Sequence, residues 1–223
     1  MKKTKYVAII GYGYVGTAME RFFKDHYHIK VYDPPYIEKN HLEGVDDDGT
    51  FFTTDKDDIN SCDLAIVCVP TLEKENGDVD LSIVYETFEW LTTPLILIKS
   101  TVPPGTTEGI VEGKGSKIIG RKVAFSPEYI GEGNYVVQWW KDRGYPHPTN
   151  MKYHDFHIFG GEREATTGIL EFFKKIVGPD VKYIQTDSKT AELVKYMENS
   201  WGGMKVTFCN EFANIAEAVS CFC

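Results

Sequence analysis

The sequence predicts an α/β fold: a doubly wound, mostly parallel sheet with a helical extension at its C-terminal end. Short apolar runs rich in β-branched residues recur along the chain, separated by segments with helical periodicity. Three of these runs in succession end in polar loops bearing Gly, Pro or Thr. The first run opens straight into a glycine-rich turn, which a helix, a second strand and an acid follow.

That first unit is the most specific. Tyr6–Ile10 is short and apolar enough for a strand covered on both faces. Gly11, Tyr12, Gly13, Tyr14, Val15 and Gly16 then match G-x-G-x-x-G. Ala18, Met19, Phe22 and Phe23 recur at helical spacing, and a second strand over 29–32 ends at Asp33. In such a unit the first glycine makes the tight turn, the second lets backbone approach a pyrophosphate, and the third lets helix and strand pack closely. Free N–H groups and the dipole at the helix N-terminus favour the phosphates. Asp33, seventeen residues after Gly16, stands where an acid accepts ribose hydroxyls, which favours NAD over NADP. The unit therefore reads as a Rossmann-type dinucleotide site.

Bulk properties narrow the class further. Apolar residues at 42% and charged residues at 26% suit a soluble globular chain. A net charge of −9 argues against nucleic acid as a partner, although backbone N–H groups can still hold an anionic cofactor. No apolar run approaches the length of a membrane span. The start, MKKTKYVAII, is too short in its apolar part for a signal peptide. Five scattered cysteines point to reduced thiols and a cytoplasmic location. Cys221 and Cys223 lack further ligands nearby, so no metal site is expected.

Pro34-Pro35 follows Asp33, and the acidic, glycine-bearing segment 43–50 reads as loop. Residues 51–53 read as a short third strand and 63–69 as a fully buried one, which stops at Val69-Pro70-Thr71. Asp80 is a candidate cap for a helix carrying Leu81, Val84, Tyr85 and Phe88. Strand Leu95–Ile98 leads into Lys99-Ser100-Thr101-Val102-Pro103, and a strand over 123–125 leads into Ser126-Pro127-Glu128-Tyr129-Ile130-Gly131-Glu132. In an open α/β sheet, ligands bind where such loops leave the carboxyl ends of the strands.

Segment 134–153 is a long aromatic and proline-rich loop, and His147, His154 and His157 read as surface or packing residues. A strand over 156–159 ends in Gly160-Gly161. A helix bearing Ile169, Leu170, Phe173 and Ile176 stops near Gly178, and 183–184 fits an edge strand. Asp187 or Ser188 caps a last helix in which Leu193, Met197 and Trp201 recur four apart. Gly202-Gly203 predicts a kink or a close backbone contact. Phe208, Phe212, Ile215 and Val219 continue an apolar stripe that needs a partner: a second subunit or sequence downstream. The expected division is 1–186 for an NAD-binding domain and 187–223 for the start of a central helix.

Lys195 and Asn199 lie four apart on that helix, so both face one way. Near a dinucleotide, a lysine and an amide can stabilise an oxyanion formed from a hydroxyl. At this point the chain resembles the UDP-glucose/GDP-mannose dehydrogenase family. The resemblance rests on Gly11 to Gly16 with Asp33, Val69-Pro70-Thr71, Ser100-Thr101-Val102-Pro103, Ser126-Pro127-Glu128 with Glu132, and Ala191-Glu192-Leu193-Val194-Lys195 with Asn199.

The resemblance implies NAD-dependent oxidation of the C6 alcohol of a nucleotide sugar. It implies that Lys195 and Asn199 stabilise the alkoxide and that Thr101 and Glu128 position water and exchange protons. Val69, Pro70, Thr71, Thr101 and Glu132 would adjoin the cofactor. Tyr129, Ile130 and Gly131, with Glu128 and Glu132, would line the substrate pocket. The unpartnered apolar stripe leads us to expect a homodimer built through the C-terminal helix, or a complementing chain.

Two departures matter. The family's nucleophilic cysteine lies in a Gly-Gly-x-Cys-Phe stretch well beyond the Lys/Asn helix, and Ser220-Cys221-Phe222 lacks those glycines. Cys221 reads as a packing thiol, so this chain alone is expected to fall short of the full four-electron oxidation. The loop 134–153 is also longer than usual, which leaves the sugar open. Two alternatives stand beside this reading: a non-catalytic NAD-binding module or half of a split enzyme, and a β-hydroxyacid dehydrogenase.

Overall fold

A computed structural model describes residues 5–113, 121–130 and 150–219. Strand β1 (Tyr6–Ile10) passes through the glycine turn into α1 (Tyr14–Phe23) and then β2 (His28–Tyr32). The sequence reading does not anticipate the next helix, α2 (Pro34–Asn40). Asp33 caps it by accepting from the Tyr36 amide, and the two prolines occupy its first turn, where no N–H is required. Segment 43–50 is likewise not all loop, because it holds β3 (Gly44–Val45). There follow β4 (Phe51–Phe52), α3 (Lys56–Asn60), β5 (Leu64–Val67), α4 (Ser82–Trp90), β6 (Leu95–Ile98), α5 (Thr106–Val111) and β7 (Lys122–Phe125). Further along, a 3₁₀ turn (Met151–Tyr153) precedes β8 (Phe156–Gly161), α6 (Arg163–Val177), β9 (Lys182–Thr186) and α7 (Ser188–Ala218).

The strands form one sheet in the order β3-β4-β2-β1-β5-β6-β7-β8-β9. The six from β4 to β7 are parallel, with the order of a Rossmann fold; β3 pairs antiparallel at one edge. At the other edge β8 runs antiparallel to β7, and β9 runs parallel to β8. Alternation along each strand feeds two cores. Val7, Ile9, Leu64, Ile66, Leu95 and Leu97 pack on the α1 and α6 side, while Ala8, Ile10, Ala65, Val67, Ile96 and Ile98 pack on the opposite side. Both faces are covered, which is why these strands read as continuous apolar runs.

Helix α7 leaves the sheet edge at Asp187, whose carboxylate caps it at the Thr190 amide, 2.8 Å away. It runs unbroken through Gly202 and Gly203, and a Cβ added at either would meet nothing within 4 Å. A close contact is therefore absent among the described residues: an exposed helix tolerates glycine at a cost of about 1 kcal/mol each, without needing a neighbour. Leu193, Met197, Trp201, Met204, Phe208, Phe212 and Ile215 are all more than half exposed. Their spacing of four, four and three repeats every eleven residues, which keeps the stripe on one side of the helix.

His157 in β8 shows what the aromatic core requires of a polar group. It is buried among Phe22, Phe159, Phe173 and Tyr183, and its Nε2 has no hydrogen-bond partner among the described residues. Burial, helped by the charge of Lys99, pushes the imidazole down from 6.5 to about 3. The unfolded chain therefore takes up this proton first, so stability rises with pH. The contribution is complete above about pH 6.5 and is lost as pH falls toward 3, with ~2 kcal/mol gone by pH 5. His157→Phe should flatten this acid limb in urea-unfolding midpoints taken from pH 7 to 4; an unchanged slope would assign the acid sensitivity elsewhere.

Candidate active site

The glycine turn is shaped by what each position can hold. Gly11 has φ +86°, and a Cβ there would stand 2.5 Å from the Cys68 carbonyl oxygen. At Gly16 a Cβ would collide with the Gly11 carbonyl, whereas at Gly13 it would meet nothing within 4 Å. The second glycine thus faces open space at the start of α1, and no side chain caps that helix. Amides free to bind an anion and room for it to approach coincide there. Asp33 is fixed at the end of β2 by the Tyr12 amide at 2.7 Å and the Tyr36 amide at 3.0 Å. Tyr12 itself is tied down through its hydroxyl, which donates to the buried Glu20, and Thr50 donates to the other Glu20 oxygen. That brace escapes sequence reasoning, because its three residues belong to three separate segments.

The loops after β5, β6 and β7 emerge side by side at the carboxyl edge, since those strands are neighbours in the sheet. Thr71 donates through its hydroxyl to the Thr101 carbonyl at 2.9 Å, joining the first two loops. An open cleft of about 510 Å³ is lined by Thr71, Val79, Thr101, Tyr196, Asn199 and Ser200. One helical turn from Asn199, the buried Lys195 ammonium donates to the Glu128 carbonyl at 2.8 Å and pairs with the Glu128 carboxylate at 2.9 Å. Glu128 Oε2 has no partner among the described residues. Val69 is buried and Pro70 is exposed, while Tyr129 and Ile130 pack into the two cores. Burial pushes the Tyr129 phenol up to about 12. Gly131, Glu132 and Cys221 lie outside the described residues.

Two residues that motif reading leaves without a role organise this edge. Glu192, one turn before Lys195, accepts from the Gly105 and Thr107 amides and from the Thr107 hydroxyl. It caps α5 from another helix and so fastens α7 to the loop that carries Thr101. Lys99 is buried immediately after β6 and donates to the Pro127 carbonyl at 3.0 Å. Burial lowers its ammonium to about 8. The one signal for it in the sequence is a lysine abutting an all-apolar strand.

Residues 26–143 match the NAD-binding domain of the UDP-glucose/GDP-mannose dehydrogenase family, and residues 189–221 match that family's central domain. The chain belongs to the UDP-glucose/GDP-mannose dehydrogenase family. A UDP-glucose 6-dehydrogenase of Rickettsia typhi is 31% identical over 168 residues, which are 73% of this chain and 36% of that protein. A GDP-mannose 6-dehydrogenase of Pseudomonas savastanoi pv. phaseolicola is 30% identical over 200 residues, 83% of this chain and 42% of that protein. The chain thus spans well under half the length of these relatives. A GDP-mannose dehydrogenase from Pseudomonas aeruginosa, solved as a ternary complex, shares the fold with a TM-score of 0.73 at 24% identity. The match covers 96% of this chain and 53% of that one.

Family membership makes NAD the cofactor and this an NAD-dependent oxidoreductase fold. The residues fit it: an open cradle at Gly13, uncapped amides on α1, and the anchored carboxylate of Asp33. Among the described residues no cluster of three or more His, Cys, Asp or Glu could hold a metal. No helix among them is long and apolar enough to cross a membrane.

Proposed function

We propose that this chain supplies the cofactor half and the proton-handling edge of an enzyme that oxidises the C6 alcohol of a nucleotide sugar. The observation that carries the reading is the buried Lys195 ammonium, held against Glu128 one turn from Asn199 at the cleft. Bound NAD supplies the hydride acceptor. As hydride leaves C6, negative charge develops on the alcohol oxygen, and Lys195 with Asn199 would stabilise it. Glu128, whose Oε2 has no partner among the described residues, can take the hydroxyl proton directly or through a water that Thr101 helps to position. The relatives' names, UDP-glucose and GDP-mannose 6-dehydrogenase, support a nucleotide sugar over a small hydroxy acid. In this reading 1–186 holds the cofactor and 187–223 carries Lys195 and Asn199, a division supported by the family matches over 26–143 and 189–221.

The exposed stripe on α7 supports pairing with a second copy of the chain. Seven large apolar residues on one side of an exposed helix are more than a monomer of this size leaves uncovered without use.

The test measures NADH absorbance with UDP-glucose, GDP-mannose and 3-hydroxyisobutyrate in parallel, alongside NAD binding by calorimetry. NADH formed with a nucleotide sugar and not with the hydroxy acid is the expected result. Binding of NAD without turnover on either sugar nucleotide would leave the chain a cofactor-binding module. Turnover on the hydroxy acid alone would move it to the β-hydroxyacid class.

A further inference from the structure

Lysine is an expensive residue to place where Lys99 sits. Its side chain is 1% exposed, directly beyond the fully buried β6. Among the described residues its acceptors are two neutral oxygens, the Pro127 carbonyl at 3.0 Å and the Ser126 hydroxyl at 3.4 Å. No carboxylate forms an ion pair with it there. Desolvating an ammonium against neutral partners costs several kcal/mol, and a methionine would fill the same space without that cost. Stability alone therefore does not account for the residue.

Its position does. Lys99 holds the Pro127 carbonyl from the sheet side, and Lys195 holds the next carbonyl, that of Glu128, from α7. Two ammonium groups from two elements thus grip consecutive peptide units of the loop that presents the Glu128 carboxylate. The Glu128 carboxylate favours the charge on Lys99 against the burial that opposes it. Among the described residues the titratable and charged groups around Glu128 are Lys195 and Glu198 on α7, Lys99 after β6, Cys68 after β5, and its neighbour Tyr129.

We propose that Lys99 is a positioning residue for the Glu128–Lys195 pair: it clamps the 126–128 loop from beneath through the Pro127 carbonyl, so that the Glu128 carboxylate stays against the Lys195 ammonium. This rests on the proposed role of Glu128 as the proton-accepting group, so the test reads the carboxylate itself and not only turnover.

The experiment follows the infrared carboxylate stretch of Glu128 in the full chain, assigned by difference against Glu128→Gln. In Lys99→Met the band should shift and broaden as the carboxylate loses its fixed place against Lys195, and Lys99→Arg should restore the original band. Thermal melting of Lys99→Met should be unchanged or raised, because the buried charge is gone. Wherever turnover is measurable, kcat should fall about tenfold with the KM for NAD within about twofold, the split expected of a group acting on the chemical step. An unmoved Glu128 band together with a lower melting temperature would overturn the proposal and make Lys99 a structural brace. Should Lys99→Met fail to fold, Lys99→Leu carries the same comparison. Absence of turnover in the unaltered chain would count against the oxidoreductase reading and leave the infrared result standing.

Discussion

Lys195→Ala should lower kcat on a nucleotide sugar by ~10²–10³ or more while leaving NAD affinity within about twofold. The ammonium is buried one turn from Asn199 at the cleft, and Lys99, the other buried ammonium at this edge, is turned to the Pro127 carbonyl instead. The substitution also strips the Glu128 carboxylate of its ion pair. Breaking a buried pair from one side costs ~3 kcal/mol or more, and a lower melting temperature should accompany the kinetic loss. Lys195→Arg separates the two effects: it keeps the charge and much of the stability, but its planar fork cannot occupy the same point between carbonyl and carboxylate. Calorimetric NAD titration and steady-state kinetics on both variants decide the matter. A parallel loss of NAD affinity in Lys195→Ala would show that the lysine serves the cofactor and not the alcohol.

Gly160→Ala should cost ~1–3 kcal/mol and at least tenfold in kcat, although residue 160 touches no part of the cleft. A Cβ there would overlap the Ala191 methyl and stand 2.7 Å from the Asp187 carbonyl oxygen and 3.0 Å from Ser188 Cα. Two of these atoms are backbone, so the first turn of α7 must move as a unit. Every group that α7 brings to the carboxyl edge lies downstream of that turn: Glu192 on the Gly105 and Thr107 amides, Lys195 on Glu128, and Asn199 at the cleft. A shift near 1 Å at this distance from the chemistry is enough for a large kinetic effect. Thermal melts and kcat of Gly160→Ala, beside Gly160→Ser, test it. Wild-type kinetics in either variant would show that α7 is positioned from its far end instead.

Much of the fold was legible because its strongest signals are local. The runs Val7-Ala8-Ile9-Ile10, Leu64-Ala65-Ile66-Val67 and Leu95–Ile98 are apolar on both faces and too short for helices. The glycine turn carries its conformational demands in consecutive residues, and Asp187 sits three residues before the amide it caps. Helix α2 was missed because Pro34-Pro35 reads as a break unless the capping carboxylate before it is recognised. β3 was missed because two residues carry no periodicity. The close contact expected at Gly202 and Gly203 is absent for a related reason: a glycine's cost there is small, and no described residue packs against either one.

Sequence alone determined the Rossmann order of elements, the dinucleotide turn with its acid, and the family to which Lys195, Asn199, Thr101 and Glu128 point. Only tertiary structure decided how the carboxyl edge of the sheet is held. Lys99 meets Pro127 across 28 residues, Lys195 meets Glu128 across 67, and Glu192 meets Thr107 across 85. A strand or turn states its needs within a few residues through dihedral preference and periodicity. A buried ammonium takes its partner from whatever the sheet order sets beside it, and that adjacency has no local trace in the chain.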